Sequence, residues 1–134
     1  MPLVRIDLVK GRATSDVQKI ADAIHEALVE VMEIPVRDRF QVVTQHDAFE
    51  VVAEDAGLGF ERDDSKVMIQ IITQRGRTQN LKQRLYQRIT SKLTITGVTP
   101  NNVFISYTEN TPADWSFGFG KAQFLLGELK SYAS

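Results

Sequence analysis

The sequence predicts a two-layer α+β domain, in which duplicated β-α-β units form a four-stranded mixed sheet with two helices on one face. Three observations carry this expectation. Apolar spacing switches between period two and helical period in the order strand-helix-strand, and that order occurs twice. Matching residues recur at a near-constant offset: Ile6 and Ile69 in the opening strands are 63 apart, Thr14 and Thr78 at the helix starts 64, and Phe40 and Phe104 in the closing strands 64. A crossover helix between parallel strands packs back on the sheet with one hand, so two such units complete one sheet and leave its other face bare. The 134 residues suit a single domain. It divides into a first unit at about 2–45, a connector at 46–65, a second unit at about 66–109 and a tail with a small hairpin at 110–134.

Each element has its own signal. Val4, Ile6 and Leu8 share one parity of an opening strand, and Lys10-Gly11-Arg12 ends it. Thr14 or Ser15 can cap the helix that follows, with Asp16 at its positive end. Val17, Ile20, Ala21, Ile24, Leu28 and Val31 keep helical spacing until Pro35 stops it, and Phe40–Thr44 reads as a strand. The connector is acidic and holds Gly57-Leu58-Gly59-Phe60. The run 67–73 is a buried strand. Thr78 caps a helix carrying Leu81, Leu85, Ile89 and Leu93, which Gly97 and Pro100 terminate. Val103–Tyr107 closes the sheet. A homo-oligomer is the natural cover for its bare face.

Composition removes several function classes. Sixteen Lys+Arg against 17 Asp+Glu give a formal net charge of -1, without the basic surplus by which proteins displace phosphate counterions. No nucleic-acid partner is expected. Zero cysteines exclude disulfides, thiolate metal sites and thiol nucleophiles. Two histidines, His25 and His46, are too few for a multi-histidine metal site; His25 reads as a boundary side chain and His46 has no assigned role. No stretch approaches the ~20 apolar residues of a membrane span. The expectation is a cytoplasmic protein that works without metal or cofactor.

Four segments carry candidate chemistry. Once an initiator methionine is removed, Pro2 presents a secondary amine, a strong nucleophile and base whose protonation burial and nearby cations disfavour. Equally, Pro2 can simply begin an edge strand. Arg75-Gly76-Arg77 leaves a strand at a helix start, where paired guanidinia suit a carboxylate; the alternative is a solvated basic turn. Asp38, between Arg37 and Arg39, suits orienting water or ending a helix. Asp114-Trp115-Ser116-Phe117-Gly118-Phe119-Gly120 can wall a small pocket or plug a subunit interface.

Taken together, Pro2-Leu3, 37–43, 54–60, Arg75-x-Arg77 and the long run 114–125 resemble the tautomerase superfamily and, within it, the malonate semialdehyde decarboxylases. The resemblance spans nearly the whole chain. It implies a homotrimer of this duplicated fold acting on a small carboxylate substrate by decarboxylation or hydration, with keto–enol tautomerisation and a non-catalytic trimer as alternatives. It further implies that Pro2 is the catalytic amine and that Arg75 and Arg77 hold the substrate carboxylate. Asp38 would position water or tune the amine, and Trp115, Phe117 and Phe124 would form an apolar wall. The chain departs from the decarboxylase pattern at Gly76, where that pattern has proline, which bears on substrate preference.

Overall fold

A computed structural model describes residues 1–130 of the chain. The strands are β1 (Leu3–Val9), β2 (Phe40–His46), β3 (Val67–Gln74) and β4 (Val103–Asn110); the helices are α1 (Thr14–Met32) and α2 (Gln79–Ile95). They form one four-stranded sheet in the order β2-β1-β3-β4. Each unit contributes a parallel pair, and the two units meet through an antiparallel β1–β3 ladder. Within that ladder Ile6 lies directly opposite Ile69, so the residues that revealed the duplication face each other at its centre.

Alternation places Val4, Ile6 and Leu8 of β1 and Val67, Ile69 and Ile71 of β3 in one buried cluster with both helices. Helix α1 supplies Ile20, Ile24 and Leu28; α2 supplies Leu85, Ile89 and Leu93. On the outer surface Arg88 and Lys92 of α2 hold Glu30 of α1 at 2.6 and 2.9 Å, and these hydrogen bonds lower the Glu30 carboxyl to about 2. No described helix is long and apolar enough to cross a membrane. Among the described residues no helix covers the opposite sheet face, and Phe40, Val42 and Phe104 stay partly exposed there.

Helix ends follow local chemistry with one exception. Thr78 accepts a hydrogen bond from the Leu81 amide at 3.1 Å, as expected. Gly97 adopts a φ of 101°, and the Val98 amide then reaches back to the Leu93 carbonyl at 3.1 Å. The exception is α1, which starts one residue before its expected caps: Ala13 occupies the cap and no side chain caps it.

Three regional expectations change. β2 continues to His46, so that histidine is a strand residue whose Nε2 lies 2.6 Å from Asp7 Oδ1 across the β1–β2 pair. The connector, expected only as an acidic excursion, holds a short 3₁₀ turn at Ala48–Glu50 and is pinned by hydrogen bonds. Asp55 accepts the Gly57 and Gly59 amides, Arg62 donates to the Asn101 carbonyl, and Asp63 and Asn102 exchange two hydrogen bonds. No hairpin forms in the described tail. A 3₁₀ turn at Pro112–Asp114 and successive turns replace it, because the segment's glycines take positive φ and its aromatics pack on the sheet end. The last four residues of the expected tail, 131–134, lie outside the described residues.

Ile69 is 1% exposed at the centre of the ladder. Ile69→Ala is expected to cost about 2–5 kcal/mol through lost burial and a residual cavity, measured by urea denaturation.

Candidate active site

The antiparallel meeting of β1 and β3 brings the start of the chain beside the end of β3, since Leu3 pairs with Ile72. Pro2 is buried there. The Met1 carbonyl accepts a hydrogen bond from Thr73 Oγ1 at 3.2 Å, and Thr73 Oγ1 in turn accepts one from Arg77 Nη1 at 3.1 Å. Asp38 arrives from the other side. Its amide closes a turn onto the Pro35 carbonyl at 3.0 Å, just after α1. The Met1 amine lies 3.6 Å from Asp38 Oδ2. Met1, Asp38, Ile34, Pro35, Glu33 and the tail residues Leu129 and Lys130 enclose a cavity of about 570 Å³.

Burial dominates the electrostatics. The amine is pushed below its ordinary value of 8.0 by desolvation and by Arg77, with Asp38 opposing. The Asp38 carboxyl is pushed above its ordinary 3.8 by burial, against the pull of the amine and Arg77. Both shifts favour neutral forms. Asp38 Oδ1 is buried without a hydrogen-bond partner, so half of this carboxylate remains available.

The arginines divide. Arg77 is buried, also touching the Gln74 carbonyl at 3.5 Å, while Arg75 is exposed and its amide closes the sheet end onto the Asn110 carbonyl at 2.8 Å. Between them Gly76 has φ 123°, a conformation closed to proline, whose ring holds φ near about −65°. Arg39 turns away from the site to pair with Asp22 of α1 at 2.7 Å.

The aromatic residues assemble at the same sheet end. Trp115 stacks on Phe117 at 5.7 Å, and Phe117 meets Phe124 edge-on and Phe40 obliquely, each at 5.4 Å. Trp115 Nε1 donates to Asn110 Oδ1 at 2.8 Å, which fixes the tail to the end of β4. The structure thus brings Pro2, Asp38 and Arg77 into one buried cluster and gathers Trp115, Phe117 and Phe124 into another. Neither arginine nor any of the aromatic trio is among the described residues lining the cavity.

Some contributors escaped the sequence reading. His25 is buried, not at a boundary, and its Nε2 lies 2.7 Å from the Val36 carbonyl, securing the turn that carries Asp38. Its signal was the spacing Ala21, His25, Leu28, Met32, a second buried row on α1. Thr73 and Phe40 were read only as strand residues. The Tyr107 hydroxyl, beside Arg77, is pushed up by burial. Nothing local marks Leu129 and Lys130.

The duplicated β-α-β fold, with its amino terminus buried between strand ends, is that of a known class of enzymes. Family profiles described as "Tautomerase enzyme" match residues 38–118 and 2–61. The probable tautomerase YrdN of Bacillus subtilis (strain 168) is 39% identical over 130 residues, covering 96% of this chain and 100% of that protein. The chain belongs to the tautomerase superfamily and is an enzyme of that class. The solved FG41 malonate semialdehyde decarboxylase inhibited by 3-bromopropiolate is 55% identical, with a TM-score of 0.93 and coverage of 95% of this chain and 97% of that one. A second malonate semialdehyde decarboxylase, solved to explain decarboxylase and hydratase activities, is 38% identical, with a TM-score of 0.92 and coverage of 96% and 99%. A fused 4-OT symmetric trimer shares the fold at 17% identity, with a TM-score of 0.76 and coverage of 93% and 98%.

The raised Asp38 pKa has a signed consequence. Below pH 3.8 the carboxyl is neutral in both folded and unfolded chains. As pH rises the unfolded chain ionises first, and the folded state loses stability until its own, higher pKa is passed. Asp38→Asn is therefore expected to raise Tm at pH 7, with the gain vanishing below pH 3.8. A lower Tm at pH 7 would show that pairing with the amine outweighs burial.

Proposed function

We propose that the enzyme is a cytoplasmic, cofactor-independent homotrimer that decarboxylates or hydrates a small 3-oxo or unsaturated carboxylic acid, with malonate semialdehyde as the reference substrate. The observation that carries this reading is the buried amine–Asp38–Arg77 cluster at the start of β1. With Met1 attached, the Pro2 nitrogen is part of a peptide bond. Removal of Met1 converts it into a secondary amine in the same surroundings. Similarity to two malonate semialdehyde decarboxylases, one of them inhibited by the three-carbon acid 3-bromopropiolate, supports the substrate class. Trimeric relatives of the fold and the uncovered sheet face support the assembly.

Each group has a role in this reading. Arg75, exposed beside the site, captures the substrate carboxylate, and Arg77 adds fixed positive charge from below. Trp115, Phe117 and Phe124 wall off water. Breaking the bond to the carboxylate releases an electron pair that the neighbouring carbonyl must accept. The pull toward a neutral amine supports iminium formation: Pro2 adds to the aldehyde, water leaves, and CO2 departs as the electron pair moves into the iminium. Protonation at carbon and hydrolysis return acetaldehyde and the free amine. For an unsaturated acid, Asp38 in its ionised form would activate water.

One observation favours a second reaction at the same site. Burial and Arg77 push the Met1 amine toward its neutral form, and a neutral Pro2 amine in that place would be a general base, suited to keto–enol tautomerisation of a 2-oxo acid such as phenylpyruvate. Relatives named as probable tautomerases agree with it.

The test uses untagged protein with Met1 removed, followed by NMR. Pro2→Ala and Arg75→Ala are each expected to reduce acetaldehyde formation from malonate semialdehyde at least about a hundredfold. Undiminished turnover in both overturns the decarboxylase reading, and greater efficiency on phenylpyruvate selects the tautomerase. The pH–rate profile should lose activity on an acid limb, because protonating the Pro2 amine removes its nucleophilicity and its basicity. Asp38→Asn should move that limb's midpoint lower and Arg77→Gln higher, because a nearby anion favours and a nearby cation disfavours the protonated amine.

A further inference from the structure

We infer that Phe119 is an intersubunit anchor, seated in the open-face hollow of a neighbouring copy, and that this contact holds the Trp115–Phe117 wall in place. The inference rests on the homotrimer of the preceding reading and names the contact on which the site's completion depends.

Phe119 is 99% exposed and has φ 60°. An exposed aromatic in the left-handed region combines backbone strain with wet apolar surface, and the described contacts within the chain offset neither. Its loop is nevertheless built to hold it there. The buried Gln123 side chain accepts from the Phe117 amide and donates to the Gly118 carbonyl, both at 2.9 Å. The Lys121 amide also returns to Gly118, at 3.2 Å. The ring is therefore presented in a preset conformation, which lowers the ordering cost of docking. Single aromatic anchors entering pockets dominate many interfaces.

The topology identifies a second copy as the occupant. Through Phe117 and Phe40 the loop sits at the β2 edge of the sheet. At the opposite end of the strands the same open face holds a hollow of about 420 Å³, lined by Asp7 of β1, His46 of β2, Met68 of β3 and Phe104 of β4 beside Val51 and Val52. Val52 and nearby Phe49 are largely exposed. Asp7 and Glu50 give the hollow a negative rim beside His46, opposite in sign to Lys121, two residues after Phe119, whose partner in its own chain, Glu128, lies 3.9 Å away. Donor and acceptor patches are thus different surfaces at opposite ends of one sheet. That is a heterologous contact, the kind that closes as a ring. Phe119 is separated from Phe117 by Gly118 alone, so seating it also fixes the ring that stacks on Trp115 and meets Phe124.

The experiment follows assembly and activity together by light scattering and kcat/KM across a dilution series. Phe119→Gly removes the ring while suiting the backbone conformation, so the subunit itself should fold as before. The trimer's dissociation midpoint is expected to rise at least about tenfold, with kcat/KM falling on dilution and recovering at high concentration. Val52→Asp should weaken assembly from the acceptor side, whereas Ile95→Ser, at an exposed residue ending α2, should not. A Phe119→Gly protein that assembles like wild type overturns the anchor, as does activity lost while its trimer stays intact. A wild-type protein that is not trimeric overturns the homotrimer reading instead.

Discussion

The antiparallel register between β1 and β3 is the constraint on which the rest of the molecule depends. It joins two units that each bury only one face of a two-stranded sheet. Because the strands run in opposite directions, the start of one lies beside the end of the other. The chain's amino terminus is therefore buried next to the turn that carries Arg75 and Arg77. A parallel meeting would have put those groups at opposite ends of the sheet. Shifting the ladder by one residue would turn Ile6 and Ile69 away from the helices, so the hydrophobic core also locks the geometry of the site.

Burial then sets the chemistry. Asp38 and the amino terminus sit in surroundings that resist charge, and each is displaced toward its neutral form. Such a cluster adds little to stability, since desolvation competes with attraction between the charges. In the proposed function these surroundings serve reactivity: a neutral amine is a nucleophile and a base, and removal of Met1 would give Pro2 that role in a chain without cysteine. His25 and Thr73 hold the cluster's two sides, one through the Val36 carbonyl and the other through the Met1 carbonyl.

The tail links the site to the uncovered face of the sheet. It leaves β4 at Asn110, is tied there by Trp115, and lays Phe117 against Phe40 on the far edge strand. One short segment thus closes the sheet end and presents Phe119 to solvent. In the proposed trimer the wall and the interface share a backbone, which would couple substrate enclosure to assembly.

Local pattern determined the elements: alternation in β1 and β3, spacing by four in α2, the Thr78 cap and the Gly97 stop are all short-range signals. The constant offset also determined the duplication, because each repeat must bury the same face. Pro2, Asp38, Arg75, Arg77, Trp115, Phe117 and Phe124 were legible as candidates through their residue types and the family resemblance. Tertiary structure alone decided how they divide. Asp38 is buried while Arg39 turns to Asp22, and Arg77 is buried while Arg75 is exposed, although each pair lies in one turn. Residues distant in sequence set the surroundings: Met1 and Thr73 around Arg77, Leu129 and Lys130 around Asp38. Burial and the pKa shifts that follow depend on which strand ends meet in space, and no local pattern encodes that meeting.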